Sequence, residues 1–116
     1  MIGQFNFVIL HVRDMAAERA FYAETLGFAL EGASPAFVQF QPAGGATFAL
    51  QQDDQATPTQ TIELWWETPD VDALHTTLLE RGVEIVTAPM DLPFGRVLAI
   101  KDPEGNVLNM YRLKQA

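Results

Sequence analysis

Glu63, Trp65 and Glu67 alternate along one apolar stretch of this 116-residue chain. In an extended strand, side chains two residues apart share a face. An indole would then lie between two carboxylates, an arrangement that stacks a flat group and pairs with a positive charge on it. Nucleophilic chemistry is far less well provided for. The chain has no cysteine, which removes disulfides, thiolate metal ligands and cysteine nucleophiles together, and it has only two histidines, His11 and His75. No nucleophile–base pair and no oxyanion site can be named. Glu63 is the one candidate general base, because desolvation among aromatic residues raises a carboxyl toward the useful range, with His11 as a partner acid.

Composition narrows the partners. Hydrophobic residues at 48% against charged residues at 19% support a packed core and argue against disorder. A formal net charge of −8 repels a phosphate backbone, so nucleic acid is not expected as a partner, whereas cationic small molecules are favoured. No apolar run approaches the roughly 20 residues that span a bilayer, so no membrane partner is expected. Residues 1–10 lack a basic region and a small-residue cleavage site, so no signal peptide is expected, and with the absence of cysteine this points to a cytoplasmic protein.

The elements that must position these residues come in a repeated order. Residues 5–12 are rich in strand formers; Asp14 is a good cap for a helix over 15–26 with Ala17, Ala20 and Phe21 on one face, and Gly27 suits its left-handed end. Strands follow at 28–31, 36–41 and 47–52, the last two joined by the turn Pro42-Ala43-Gly44-Gly45. Residues 53–60 are polar and aperiodic and read as a linker. The order then recurs: a strand at 62–67, a helix capped by Asp70 with Val71, Leu74 and Leu78 on one face, a stop at Gly82, and strands at 83–86, 97–100 and 107–111, with a turn at Asp102-Pro103-Glu104-Gly105. Val12-Arg13-Asp14 overlays Thr68-Pro69-Asp70, Gly27 overlays Gly82, and Pro42-Ala43-Gly44 overlays Pro103-Glu104-Gly105. A repeat of a little over 50 residues predicts two modules, 1–52 and 61–116, joined by the linker into one α+β structural domain around a shared cleft.

Those landmarks resemble the glyoxalase / bleomycin-resistance / extradiol-dioxygenase superfamily, the vicinal oxygen chelate proteins, over nearly the whole chain. The resemblance rests on Val12-Arg13-Asp14 leading through Ala20-Phe21-Tyr22 to Leu26-Gly27-Phe28. In the second half it rests on Asp70-Val71-Asp72-Ala73, Glu80-Arg81-Gly82-Val83, Pro93-Phe94-Gly95-Arg96 and Asp102-Pro103-Glu104-Gly105-Asn106. It implies two βαβββ modules curling into a half-open barrel, usually completed in a homodimer.

Strand alternation then sorts the faces. Val8, Leu10 and Val12 pack on the first helix, leaving Phe7, Ile9 and His11 toward the cleft, where His11 can hydrogen-bond a neighbouring carboxylate. Phe37, Gln39, Ala49 and Gln51 join them from the first module. The second module turns Glu63, Trp65, Glu67, Asn109 and Tyr111 to the cleft, with Val107 beside them. Residues 88–95, rich in proline, read as an irregular lid or wall offering Met90 and Phe94 as adaptable contacts.

Metal-dependent members of the superfamily carry His or Glu ligands at one position on each of four strands. By the landmarks these positions are Phe7, Ala49, Glu63 and Asn109 here. Phenylalanine and alanine have no lone pair, asparagine is a poor ligand for transition metals, and one carboxylate cannot hold such an ion alone. His75, on the second helix, reads as a surface or half-buried residue rather than a ligand. No metal and no cofactor are therefore expected. Among superfamily members the chain is similar to the metal-free antibiotic-binding ones, which sequester a bulky ligand.

The sequence thus predicts a metal-independent binding protein for a hydrophobic, cationic or zwitterionic small molecule, acting as a homodimer, with Trp65, Phe7, Phe37 and Tyr111 as stacking surfaces. The alternative is a metal-independent lyase or isomerase with Glu63 as general base. A metalloenzyme that borrows ligands from a dimer mate or substrate, and a purely structural role, are the remaining readings.

Overall fold

The computed structural model describes residues 1–42, 44–58 and 62–115. Two compact units, Met1–Thr57 and Pro58–Ala116, each carry one four-stranded sheet. The expected linker's residues 59 and 60, and Ala43 of the first expected turn, lie outside the described residues.

In the first unit β1 (Phe7–Val12) leads through α1 (Met15–Ala20) and a π-helical turn (Phe21–Thr25) to β2 (Leu30–Ala33), β3 (Phe37–Phe40) and β4 (Thr47–Gln52). The sheet order is β1-β4-β3-β2, with β1 and β4 parallel and the other pairs antiparallel. In the second unit β5 (Leu64–Glu67), α2 (Val71–Glu80), β6 (Glu84–Leu92), β7 (Gly95–Lys101) and β8 (Val107–Leu113) give the order β5-β8-β7-β6 with the same sense of pairing. Each sheet is open, not closed into a barrel. The fold is α+β, and the repeat in the sequence is a repeat of βαβββ.

The landmark residues act identically in both units. Asp14 accepts the amide of Ala17 at 3.1 Å and Asp70 that of Ala73 at 3.0 Å, so both helices start on the same side-chain cap. Among the described residues the glycines with positive φ are Gly27, Gly44, Gly82 and Gly105, the two pairs matched in sequence, at positions where only glycine takes that conformation without strain. The Asp102–Asn106 turn is built on a buried side chain. Asp102 Oδ1 accepts the amides of Glu104 and Asn106 at 3.0 and 2.8 Å, and Oδ2 accepts Asn106 Nδ2 at 2.9 Å, which gives this motif a structural purpose.

The expected single helix over 15–26 is corrected. Regular α geometry stops at Ala20, and the amide of Leu26 bonds the carbonyl of Phe21 at 2.9 Å, five residues back. The wider turn delivers Tyr22, fully buried, into a ring cluster with Phe28, Phe40 and Phe48 at centroid separations of 5.7, 6.0 and 5.2 Å. The helix face toward the core is accordingly Met15, Glu18 and Tyr22 rather than Ala17, Ala20 and Phe21. Because Phe28 serves that cluster, β2 begins two residues later than expected.

Residues 88–95 are also corrected, from irregular wall to a β-hairpin. Leu92 pairs with Gly95 across the two-residue turn Pro93-Phe94, with proline at its first central position. Pro89 is accommodated because β6 is an edge strand and its register shifts between Thr87 and Met90. Gly95 is required for a different reason from the turn glycines: a Cβ there would lie 2.2 Å from the backbone oxygen of Arg112. Arg96 ties the hairpin to α2 through two bonds to Asp72 at 2.8 and 2.9 Å, and braces the hairpin internally through one to Asp91 at 3.0 Å. Those carboxylates hold its guanidinium well above the usual arginine range.

Candidate functional site

α2 covers one face of the second sheet, where Leu98, Ile100, Leu108 and Met110 are buried with Val71 and Leu78. Alternation turns the other residues to the opposite face in two cross-strand rows. Met90, Val97, Tyr111 and Glu67 form one, and Thr87, Ala99, Asn109 and Trp65 the next. Val97 and Ala99 are the buried floor of this face.

Over that floor stand three rings. Trp65 lies 6.1 Å from Phe94 and 5.8 Å from Tyr111, and Phe94 lies 6.4 Å from Tyr111, with interplanar angles of 72°, 75° and 70°. Trp65 and Phe94 remain 40% and 45% exposed, and Met90 is exposed beside them, so the cluster presents apolar ring surface to solvent instead of closing on itself.

The polar ends of two rings are held by carboxylates. Trp65 Nε1 donates to Glu63 Oε1 at 2.9 Å, and the Tyr111 hydroxyl donates to Glu67 Oε1 at 3.3 Å. Loss of hydration, and secondarily the charge of Glu67, pushes the Tyr111 phenol up from its ordinary value. Asn109, whose amide donates to the carbonyl of Leu64 at 3.2 Å, bridges β8 to β5 below Trp65. Glu63 itself is exposed, which corrects the expectation that aromatic neighbours would shield it from water.

Phe94 sits on the β6–β7 turn, where its carbonyl accepts the amide of Lys114 at 2.9 Å. A groove of about 380 Å³ adjoins Glu67 and is lined also by Thr68, Pro69, Arg112, Leu113 and Gln115. Sequence reading missed it, since nothing in the periodicity marks the place where β8 runs past the end of β5.

In the first unit the corresponding rows are His11, Gln51 and Phe37, then Ile9, Ala49 and Gln39, then Phe7 and Thr47. Phe7 and Ile9 are exposed, Phe37 and Gln39 are half-buried, and Ala49 is fully buried. Gln51 donates to the carbonyls of Ala36 and Gln52. His11 Nδ1 meets Asp53 Oδ2 at 2.8 Å, the neighbouring carboxylate expected for it. Asp53 opens the expected linker. It is a turn residue whose Oδ1 accepts the amide of Gln55 at 2.9 Å, and the His11 hydrogen bond, then that amide, hold its carboxyl below the usual aspartate range. His75 is half-buried on α2.

This architecture defines the class: an α+β protein made of two βαβββ units, each with one sheet face clear of its helix. Residues 4–110 match the family model of the Glyoxalase/Bleomycin resistance protein/Dioxygenase superfamily, and the chain belongs to that superfamily. It is similar to TnmS3, an antibiotic binding protein from Streptomyces sp. CB03234, with a TM-score of 0.83 and 30% identity over 97% of this chain and 98% of that one. A glyoxalase/bleomycin resistance protein from the same Streptomyces superposes with a TM-score of 0.73 and 31% identity, covering 93% of this chain and all of the other. The uncharacterized protein YetH of Bacillus subtilis (strain 168) is 23% identical over 115 residues, 92% of this chain and 96% of its own.

The metal that many superfamily members use does not fit the residues present. At the four positions that the resemblance assigns to metal ligands, Phe7 and Ala49 offer no donor atom, which leaves only the Asn109 amide oxygen and one carboxylate, Glu63. Among the described residues no three His, Asp or Glu side chains cluster as a metal site.

Proposed function

We propose that this chain is a metal-independent small-molecule-binding protein that sequesters a hydrophobic, cationic ligand. The observation that carries the reading is the solvent-facing cluster of Trp65, Phe94 and Tyr111 with Glu63 and Glu67 hydrogen-bonded to its rim. Flat rings left partly exposed over a buried floor gain area when a planar ligand stacks on them. Carboxylates at the ring edges favour a positive charge on that ligand, and the net charge of −8 adds a long-range attraction of the same sign. A 30%-identical relative described as an antibiotic binding protein supports the same assignment. The ligand contacts proposed are Trp65, Phe94, Tyr111, Met90, Glu63, Glu67 and Asn109 from the second unit. Phe7, Ile9, His11, Phe37, Gln39, Ala49 and Gln51 are the contacts proposed on the first. The working form proposed is a homodimer.

The test is a fluorescence titration with thioflavin T, a planar aromatic cation. Saturable binding that Trp65→Ala weakens about tenfold or more supports the assignment. Affinity unchanged by that substitution places the ligand elsewhere.

A further inference from the structure

The three rings on the second sheet are more specific than a stacking surface needs to be. Stacking a planar ligand takes one flat face, or two parallel ones. Here each ring stands 70–75° to the other two, with centroids 5.8–6.4 Å apart. Three planes so inclined form a corner, and three perpendicular faces at such spacing bring all three centroids within about 6 Å of one point, the range over which a ring face attracts a cation. Beside a face on which a planar group can stack, a corner also holds a compact, roughly spherical charge.

The ring edges are fixed in ways that strengthen that attraction. Trp65 donates its N–H to Glu63 and Tyr111 its O–H to Glu67, so negative charge is drawn to the rim of two of the three rings and their rotation is restrained. Among the described residues no cationic side chain pairs with either carboxylate. Arg112, which shares the adjoining groove with Glu67, is directed at the carbonyl of Pro69. Phe94, the third wall, stands on the hairpin that Arg96 and the close Gly95–Arg112 approach hold in place.

We infer that Trp65, Phe94 and Tyr111 form an aromatic corner that recognises a quaternary or fully methylated ammonium group on the ligand, with Glu63 and Glu67 supplying the counter-charge. A methylated ammonium suits this surface because its charge is spread over apolar methyl groups. It loses little hydration on contact with rings, whereas a primary ammonium, strongly hydrated through its three N–H groups, loses more. The inference rests on the binding reading above and adds the chemical group that the ligand must carry.

The experiment titrates the intact protein with choline and with its neutral isostere 3,3-dimethyl-1-butanol, following the Trp65 indole N–H resonance by NMR. The expected result is a saturable shift with choline and an affinity for the alcohol at least about fivefold weaker. Phe94→Ala should abolish the preference for the cation. Glu67→Gln, at an exposed carboxylate that does not support the core, should reduce choline affinity while leaving the spectrum of the fold intact. Equal affinity for choline and the alcohol overturns the ammonium assignment. So does absence of a choline shift in protein that still binds thioflavin T, which leaves the general binding reading standing; binding of neither probe sinks both. An indole resonance that moves with protein concentration instead of with choline would show that a second copy of the chain covers the rings, and that result also overturns the inference.

Discussion

The indole nitrogen of Trp65 on β5 and the carboxylate of Glu63, just ahead of that strand, are joined by a 2.9 Å hydrogen bond in an exposed setting. The bond gives Glu63 a positioning task, orienting the ring that the proposed ligand meets. If Glu63 acts this way and not as a proton acceptor, Glu63→Gln, which keeps an acceptor oxygen but loses the charge, should weaken thioflavin T binding by no more than about threefold, as expected for an exposed carboxylate. Glu63→Ala should lose more, with a broadened Trp65 resonance. Turnover of any bound compound that disappears in Glu63→Gln while binding persists would instead favour the general-base reading.

Gly95 should be intolerant of even one added carbon. Its backbone lies so close to Arg112 that a Cβ would meet the carbonyl oxygen at 2.2 Å, and both neighbours are backbone in a paired strand. Gly95→Ala should cost about 1–3 kcal/mol, the range for overpacking, in urea denaturation. It should also weaken probe binding through displacement of Phe94. Gly32→Ala, where an added Cβ meets nothing within 4 Å, is the control and should change stability little.

The first unit's core should depend heavily on Tyr22, which is fully buried among Phe28, Phe40 and Phe48. Tyr22→Ala should lower stability by about 3–5 kcal/mol. Chemical denaturation of the folded variant and the wild type measures the difference. A loss under 1 kcal/mol would mean the π-turn is not shaped by that ring.

Acid sensitivity should trace to Asp53 and Asp72. Both carboxyls sit below their ordinary value of 3.8 in the folded protein, Asp53 chiefly through the His11 hydrogen bond and Asp72 chiefly through Arg96. A folded pKa lower than the unfolded one means the stabilisation is fully present above about pH 4–5 and is lost as pH falls through the depressed folded values. Asp53→Asn and Asp72→Asn should each flatten the acid limb of a stability–pH curve measured from pH 7 to 2.

Much of this was legible in the chain. The paired landmarks Asp14 and Asp70, Gly27 and Gly82, Gly44 and Gly105 encode local conformations, a side-chain cap or a positive φ, that do not depend on distant contacts, and so they expose the repeat. Strand alternation likewise places Trp65, Asn109 and Tyr111 on one face. The π-turn was not legible, because its width is set by where the Tyr22 ring finds Phe48, a contact between residues far apart in sequence. Pro89 misled for a related reason: a proline excludes a strand only where its missing N–H is needed, and the edge position of β6 emerges only with the sheet. The exposure of Glu63 and the pairing of Asp53 with His11 depend on loop paths that no periodicity records.

Metal-independent binding at the aromatic face is the central claim, and one titration tests it most directly. Protein dialysed against a chelator is titrated with thioflavin T, then again after addition of nickel, zinc, iron(II), manganese or cobalt, alongside Trp65→Ala. The account predicts saturable binding to the chelated protein, no gain from any ion, and an affinity about tenfold or more weaker in the variant. Binding that appears only when an ion is restored, or that ignores the loss of Trp65, would contradict it.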